Sequence, residues 1–298
     1  MPKRMLRTGQ FTRIFTPVEL SIESSGMPKT GRVFYVDSNT GADADGRGTF
    51  DAPFDSIDYA IGKCVASKGD VIYVMPGHAE TLTAKIALDV AGVSLIGLGV
   101  GRNRPAITVG GVIDGIDVTA ANCRVSNFYF PAATAAATAR INIDAADVEV
   151  DHCYFLCGAN DLLSITITAN GLRAYVHDNE AVVSANGPDA MVQIESASAV
   201  SVKIYNNSGD GQSDTNAWDL GFIYSTVAHL RCEIIGNVNN FGPAIIFTAA
   251  ATGVIAYNVM GEGTLGSMLD PGSCMCFQNY EADDIDQTAR LFPTTAAS

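Results

Sequence analysis

The chain has 298 residues, 47% hydrophobic and 17% charged, which gives material for a sizeable core and excludes a charge-driven disordered chain. Its net charge of −14 and pI near 4.5 oppose a phosphate backbone, so a general nucleic-acid-binding role is excluded. Seven cysteines, an odd number in a long chain, argue against a disulfide framework.

Residues 1–32 hold Lys3, Arg4, Arg7, Arg13, Lys29 and Arg32 against only Glu19 and Glu23, so the remaining chain carries −18. This reads as a basic arm before an acidic body. Arg13, Pro17 and Glu19 interrupt any apolar run, and no secretory signal is expected. Residues 33–77 read as an entry unit in which a strand and a Gly/Asp-rich loop lead to a helix, then to a second strand. Phe54, Ile57, Ala60, Ile61, Cys64 and Val65 fall at helical spacing, with Asp55 or Ser56 as the start. The helix is expected to plug the N-terminal end of the acidic body, because an open end would expose core and strand edges. The loop 37–46 has a passing likeness to a calcium loop. Aligning Gly46 with the loop glycine puts Gly41 and Ala52 at the terminal ligand places, which excludes an EF-hand.

From about residue 115 one pattern recurs, a short strand, a small-residue turn and a second strand. The copies are 115–130, 140–155, 164–179, 191–207, 221–237, 244–258 and 267–279. Their last positions are Phe128, Cys153, Asn179, Asn207, Asn237, Asn258 and Asn279, in steps of 25, 26, 28, 30, 21 and 21 residues. Apolar residues alternate, as at Val148 and Val150, Val202 and Ile204, Cys232 and Ile234. The period is too short for a propeller blade or a helical pair. Two or three short strands in so short a period point to a coil, so each repeat is expected to be one coil of a solenoid, adding a strand to each of two or three parallel sheets spaced about 4.8 Å apart. Val125, Val150, Val176, Ile204, Ile234, Ile255 and Cys276 should form one interior ladder, and the five terminal Asn another. The uncharged stretch 242–261 contains Pro243, Gly253 and Asn258 and reads as two buried strands, not a membrane span. Residues 281–298 leave the repeat as a tail or cap, with Asp283, Asp284 and Asp286 as a solvated face.

The best chemical candidate is stacked. Asp151 and His152 fall one coil from His177 and Asp178, with Asn206 in the next coil. Carboxylates and imidazoles one strand spacing apart could serve acid–base chemistry or a metal. The expectation is instead turn residues that satisfy backbone and each other, with no assigned catalytic residue. Cys153-x₃-Cys157 and Cys274-x-Cys276 lack a second pair at zinc spacing, so no metal and no cofactor is expected. The longest insertion, 208–221, holds the sole tryptophan, Trp218, beside Asp210, Asp214 and Asp219. Trp218 either presents its ring to a sugar or a partner chain, or folds down over the coil.

With its entry unit FYVDSNTG…PFDSI…GDVIYV, the repeat over residues 33–280 resembles the right-handed, single-stranded parallel β-helix of the pectin-lyase-like class. The resemblance implies polysaccharide chemistry, yet the family's Asn-Thr-Asp, Gly-His-Gly and Arg-Ile-Lys motifs are absent. Its lyases hold anionic substrate with calcium and a basic residue, and residues 33–298 carry only 12 Lys and Arg. An acidic coil behind a basic arm also resembles bacteriophage virion β-helix proteins, which are commonly homotrimers. That resemblance implies a non-enzymatic capsid decoration or cement protein. Lys3, Arg4, Arg7 and Arg13 would anchor it to a major capsid or tail protein, with Trp218 as a further contact. The alternative is a tailspike-type protein that binds a host glycan or degrades it as a lyase or glycoside hydrolase. A cellular adhesion role is disfavoured by the expected lack of a signal, and no membrane partner is expected.

Overall fold

The computed structural model describes residues 31–185, 188–211, 216–261, 268–282 and 289–291. The chain winds as a parallel β-helix, in agreement with the expected class. Each coil visits three sheets in a fixed order, and the sheets hold 10, 10 and 8 strands. The first sheet begins with Val33–Val36 and Val71–Val74, the second with Ala79–Leu82, and the third with Ile86–Leu88. Neighbouring strands pair in parallel, except that Ala289–Leu291 closes the second sheet antiparallel to Tyr280–Ala282.

The expected interior ladder forms. Val125, Val150, Val176, Ile204, Ile234, Ile255 and Cys276 pair each with the next along the first sheet, and all are buried. Because like stacks on like, each branched side chain fills the space above its neighbour, and the core runs unbroken along the axis. The Asn ladder also forms, at the corner between the first and second sheets. Asn207 Nδ2 donates to Asn237 Oδ1 at 3.0 Å and to the Val176 carbonyl at 3.0 Å. Its Oδ1 accepts from Asn179 N and Nδ2 at 3.1 and 3.0 Å. The left-handed conformation belongs to the residue before each ladder position. His152, Asp178, Asn206 and Tyr257 have φ of 55°, 54°, 52° and 59°. That one residue turns the chain so that the next side chain points inward.

The capping helix is Ile57–Ile61, only five residues, with Ser56 Oγ accepting from Tyr59 N. Ile57, Ala60 and Ile61 are buried, and Asp58 Oδ1 accepts from Ala87 N of the third sheet's first strand at 3.1 Å. The helix thus covers that sheet's N-terminal end. Val65 lies beyond the helix and is 47% exposed, against the expectation that it joins the apolar stripe. The loop 37–56 is tied by its own carboxylates, since Asp43 Oδ1 accepts from Asp55 N and Ser56 N at 2.9 and 3.1 Å. The stretch 242–261 forms three strands rather than two, Ile245–Phe247, Gly253–Ala256 and Val259–Met260, because each coil has three corners. Among the described residues no helix is long and apolar enough to cross a membrane.

Arg32 joins the coil through its backbone N–H, which donates to Asp70 Oδ1 at 2.6 Å. Lys3, Arg4, Arg7 and Arg13 lie outside the described residues, as do Asp214, Asp283, Asp284 and Asp286.

Candidate functional site

Strand alternation that sends Val150 and Val176 inward sends their neighbours out. Register then pairs Glu149 with Arg124 and Tyr175, and Asp151 with Ser126 and His177. Asp151 and His177 are therefore brought together as the repeat predicts. Asp151 is fully buried under this cluster. Arg124 reaches it with Nε on Oδ1 at 2.7 Å and Nη2 on Oδ2 at 2.6 Å. Ser126 Oγ donates to Oδ2 at 2.9 Å, and His152 Nδ1 lies 2.6 Å from the same oxygen. Burial pushes the Asp151 carboxyl up, but the hydrogen bonds from Arg124, His152 and Ser126 outweigh it and hold the group below the usual range.

His177 bridges two carboxylates, with Nδ1 2.7 Å from Asp178 Oδ2 and Nε2 3.2 Å from Glu149 Oε1. Its ring stacks on Tyr175 at 4.0 Å between centroids. Asn206 is exposed in the next left-handed turn position. Donor atoms of Glu149, Asp151 and His177 lie within 4.8 Å of one another. Yet the guanidinium of Arg124 already holds both Asp151 oxygens, so the place of a metal cation is taken by a protein cation. A general acid needs a raised carboxyl, and Asp151 has the opposite. The cluster is a closed ion network that joins successive coils.

Trp218 does not present its ring to a partner. It is 2% exposed, its Nε1 donates to Asn239 Oδ1 at 3.0 Å, and its ring packs 5.8 Å from Phe222. Trp218 folds down because a buried amide satisfies the indole N–H while the ring adds to the core.

A cleft of about 330 Å³ opens instead on the outer face of the second sheet. Tyr129, Tyr154 and Glu180 stack in register along its floor, with Leu156 beside them. The two tyrosine rings are tilted at 49° with centroids 5.6 Å apart. Arg102 and Arg104 form the rim, from the segment 97–105 that links the first two sheets. Asn127 Nδ2 pins this segment by donating to the Gly97 and Gly99 carbonyls at 2.8 and 3.0 Å. Gly99 has φ 99°, and a Cβ there would meet Asn103 O at 2.6 Å, so the loop needs glycine. Arg104 Nε is buried without a hydrogen-bond partner. Burial, then the charge of Glu180, raise the Tyr154 hydroxyl. The repeat alignment carried one signal for this site, Tyr129 and Tyr154 at the same position of successive copies. The arginines lie outside the repeat, which is why sequence reading passed over them.

No protein-family model matches the chain, and no curated protein matches it. Among solved structures it is similar to a rhamnogalacturonan lyase, at 15% identity and TM-score 0.46 over 78% of this chain and 75% of the other. It is also similar to a GH136 lacto-N-biosidase from Eubacterium ramulus, at 12% identity and TM-score 0.44 over 89% of this chain and 66% of the other, just under two thirds of that protein's length.

Proposed function

We propose that this chain is a non-catalytic, polysaccharide-binding parallel β-helix whose binding surface is the cleft on the second sheet. The stacked pair Tyr129–Tyr154 carries this reading, because two rings on adjacent coils offer flat apolar area to consecutive sugar rings. Glu180 is the sole carboxylate of the lining, whereas hydrolysis of a glycosidic bond generally uses two. The closed network around Asp151 supports the same non-catalytic role. The test is calorimetry with an oligosaccharide panel, together with product analysis. Binding without bond cleavage, lost in Tyr129→Ala and Tyr154→Ala, is expected. Products that vanish in Glu180→Gln would overturn the non-catalytic reading, and no binding to any oligosaccharide would overturn the function.

A second reading rests on charge asymmetry, six basic residues in 1–32 before a body of −18. In it the chain is a virion structural protein, a capsid decoration or tail component, carried by Lys3, Arg4, Arg7 and Arg13 and assembled as a homotrimer. The two readings are compatible, since an anchored coil can also bind glycan. Deleting residues 1–30 should release the protein from its particle and leave the coil folded. Unchanged attachment would sink this reading.

A further inference from the structure

We infer that the cleft recognises a glycan carrying isolated anionic residues on an otherwise neutral chain, with Arg104 and Arg102 holding the oxyanion; this rests on the polysaccharide-binding reading. Among the described residues most other cations pair with a carboxylate, except that Arg47 is held by the Pro53 and Thr40 carbonyls and Arg231 makes no ion pair. Arg32 faces Asp70, Arg124 faces Asp151, Arg140 faces Asp161, Arg173 faces Asp147, Lys63 faces Asp45 and Lys85 faces Asp117. Among the described residues Arg102 and Arg104 make no ion pair, although Glu180 lines the same cleft. The Arg104 Nε donor is both buried and unused. A buried donor without an acceptor is destabilising, and a guanidinium offers paired donors that match a carboxylate or a sulfate. The arginine end of the cleft therefore offers guanidinium donors suited to an oxyanion, beside rings placed to pack against a sugar.

Charge elsewhere limits how many anions the ligand can carry. The body outside residues 1–32 has −18, and Glu180 stands in the cleft itself. A continuous polyanion would gain at the two arginines and lose along the rest of the surface. One acidic residue flanked by neutral sugars gains at the arginines without that repulsion.

The experiment is calorimetry on the full chain with four probes. These are a neutral xylo-oligosaccharide, the same chain bearing one glucuronate, its counterpart bearing one sulfate, and an oligogalacturonate of equal length. Inorganic sulfate is the control. The singly charged chains are expected to bind about tenfold more tightly than the neutral one, the size of a charge-assisted hydrogen bond. The better of the two identifies carboxylate or sulfate as the preferred group. Arg104→Gln should remove the preference for the charged chains over the neutral one. Arg102→Gln, at an exposed position, should weaken the preference with an unchanged melting temperature. Equal affinity for neutral and charged chains overturns this inference and leaves the polysaccharide reading standing. Tightest binding of oligogalacturonate overturns the limit on charge. Binding of inorganic sulfate with no sugar overturns both readings, and so does the absence of any binding.

Discussion

Arg124 closes both carboxylate oxygens of Asp151 from the neighbouring coil, at 2.7 and 2.6 Å, so the best-placed acid of the repeat is spent on holding two coils together. Arg124→Met leaves a buried carboxylate with only Ser126 and His152 as partners. It should cost about 2–3 kcal/mol, the worth of a charge-assisted hydrogen bond. Adding Asp151→Asn should recover part of the loss, because the uncompensated charge is then gone. The folded-state carboxyl lies below its unfolded value, so its stabilisation is present above the unfolded value of 3.8 and is lost as pH falls. Urea melts at pH 7 and pH 3.5 check both points. Equal acid sensitivity in wild type and Asp151→Asn would contradict the clamp.

The Asn ladder makes a sharper prediction, because every amide in its middle is fully used. Asn207→Ala takes the side-chain partner from Asn179 N and from the Val176 carbonyl, and leaves Asn179 Nδ2 with the Val150 carbonyl alone. At about 1–3 kcal/mol for each such group, the loss should be about 3 kcal/mol or more. Cys153 occupies the ladder position one coil before Asn179, and its backbone N–H already donates to Asn179 Oδ1 at 2.9 Å. Cys153→Asn should therefore extend the ladder and change stability by less than about 1 kcal/mol. Denaturant midpoints of the two variants decide it, and comparable losses would show that the amides matter only through their volume.

How much was legible depended on whether a residue repeats. The interior ladder could be read because Val150, Val176 and Ile204 recur with polar residues on both sides, and register follows once each coil is aligned. The stacking of Asp151 on His177 came from the same alignment. Trp218 could not be placed, since its inward path depends on Asn239 of the next coil, which no spacing reveals. The pair Arg140–Asp161 was missed for a related reason. Both residues are buried, and Asp161 also accepts from Gly158 N at 2.7 Å, yet Asp161 lies between the copies and the arginine at the first position of the copy 140–155 recurs in no other copy. The cleft likewise combines repeat tyrosines with arginines from a loop that occurs once.

His229 gives a pH prediction with a definite sign. It is fully buried, neither ring nitrogen has a partner, and its ring meets Phe247 edge-on at 4.7 Å. Burial lowers its pKa from 6.5 to about 4. The unfolded chain therefore binds a proton that the folded chain refuses, and stability falls as pH drops from 6.5 towards 4. Each unit of separation is worth about 1.4 kcal/mol. His229→Leu removes this proton linkage, so its stability relative to wild type should be greater at pH 4.5 than at pH 8. Parallel urea midpoints at the two pH values would rule out His229 as the source.

Gly253 decides how the last coils meet. The sulfurs of Cys232 and Cys274 come within 3.7 Å of each other across it, from positions two coils apart. Gly253 has φ 152°, and a Cβ there would fall 2.1 Å from Cys232 O and 2.6 Å from Cys232 N. Gly253→Ala must push these coils apart, at about 1–3 kcal/mol for overpacking. Thiol chemistry reads that displacement directly. Burial pushes Cys153 up to about 12 and Cys157 and Cys276 to about 11, and a thiol that stays protonated is a poor nucleophile. At pH 8 the six buried cysteines should resist an aromatic disulfide reagent in the native protein, and all seven should react in urea. In Gly253→Ala, Cys232 and Cys274 should become reactive under native conditions while Cys153 and Cys157 remain protected. Native reactivity of all six in the wild type would mean that the coils open far more readily than their packing implies.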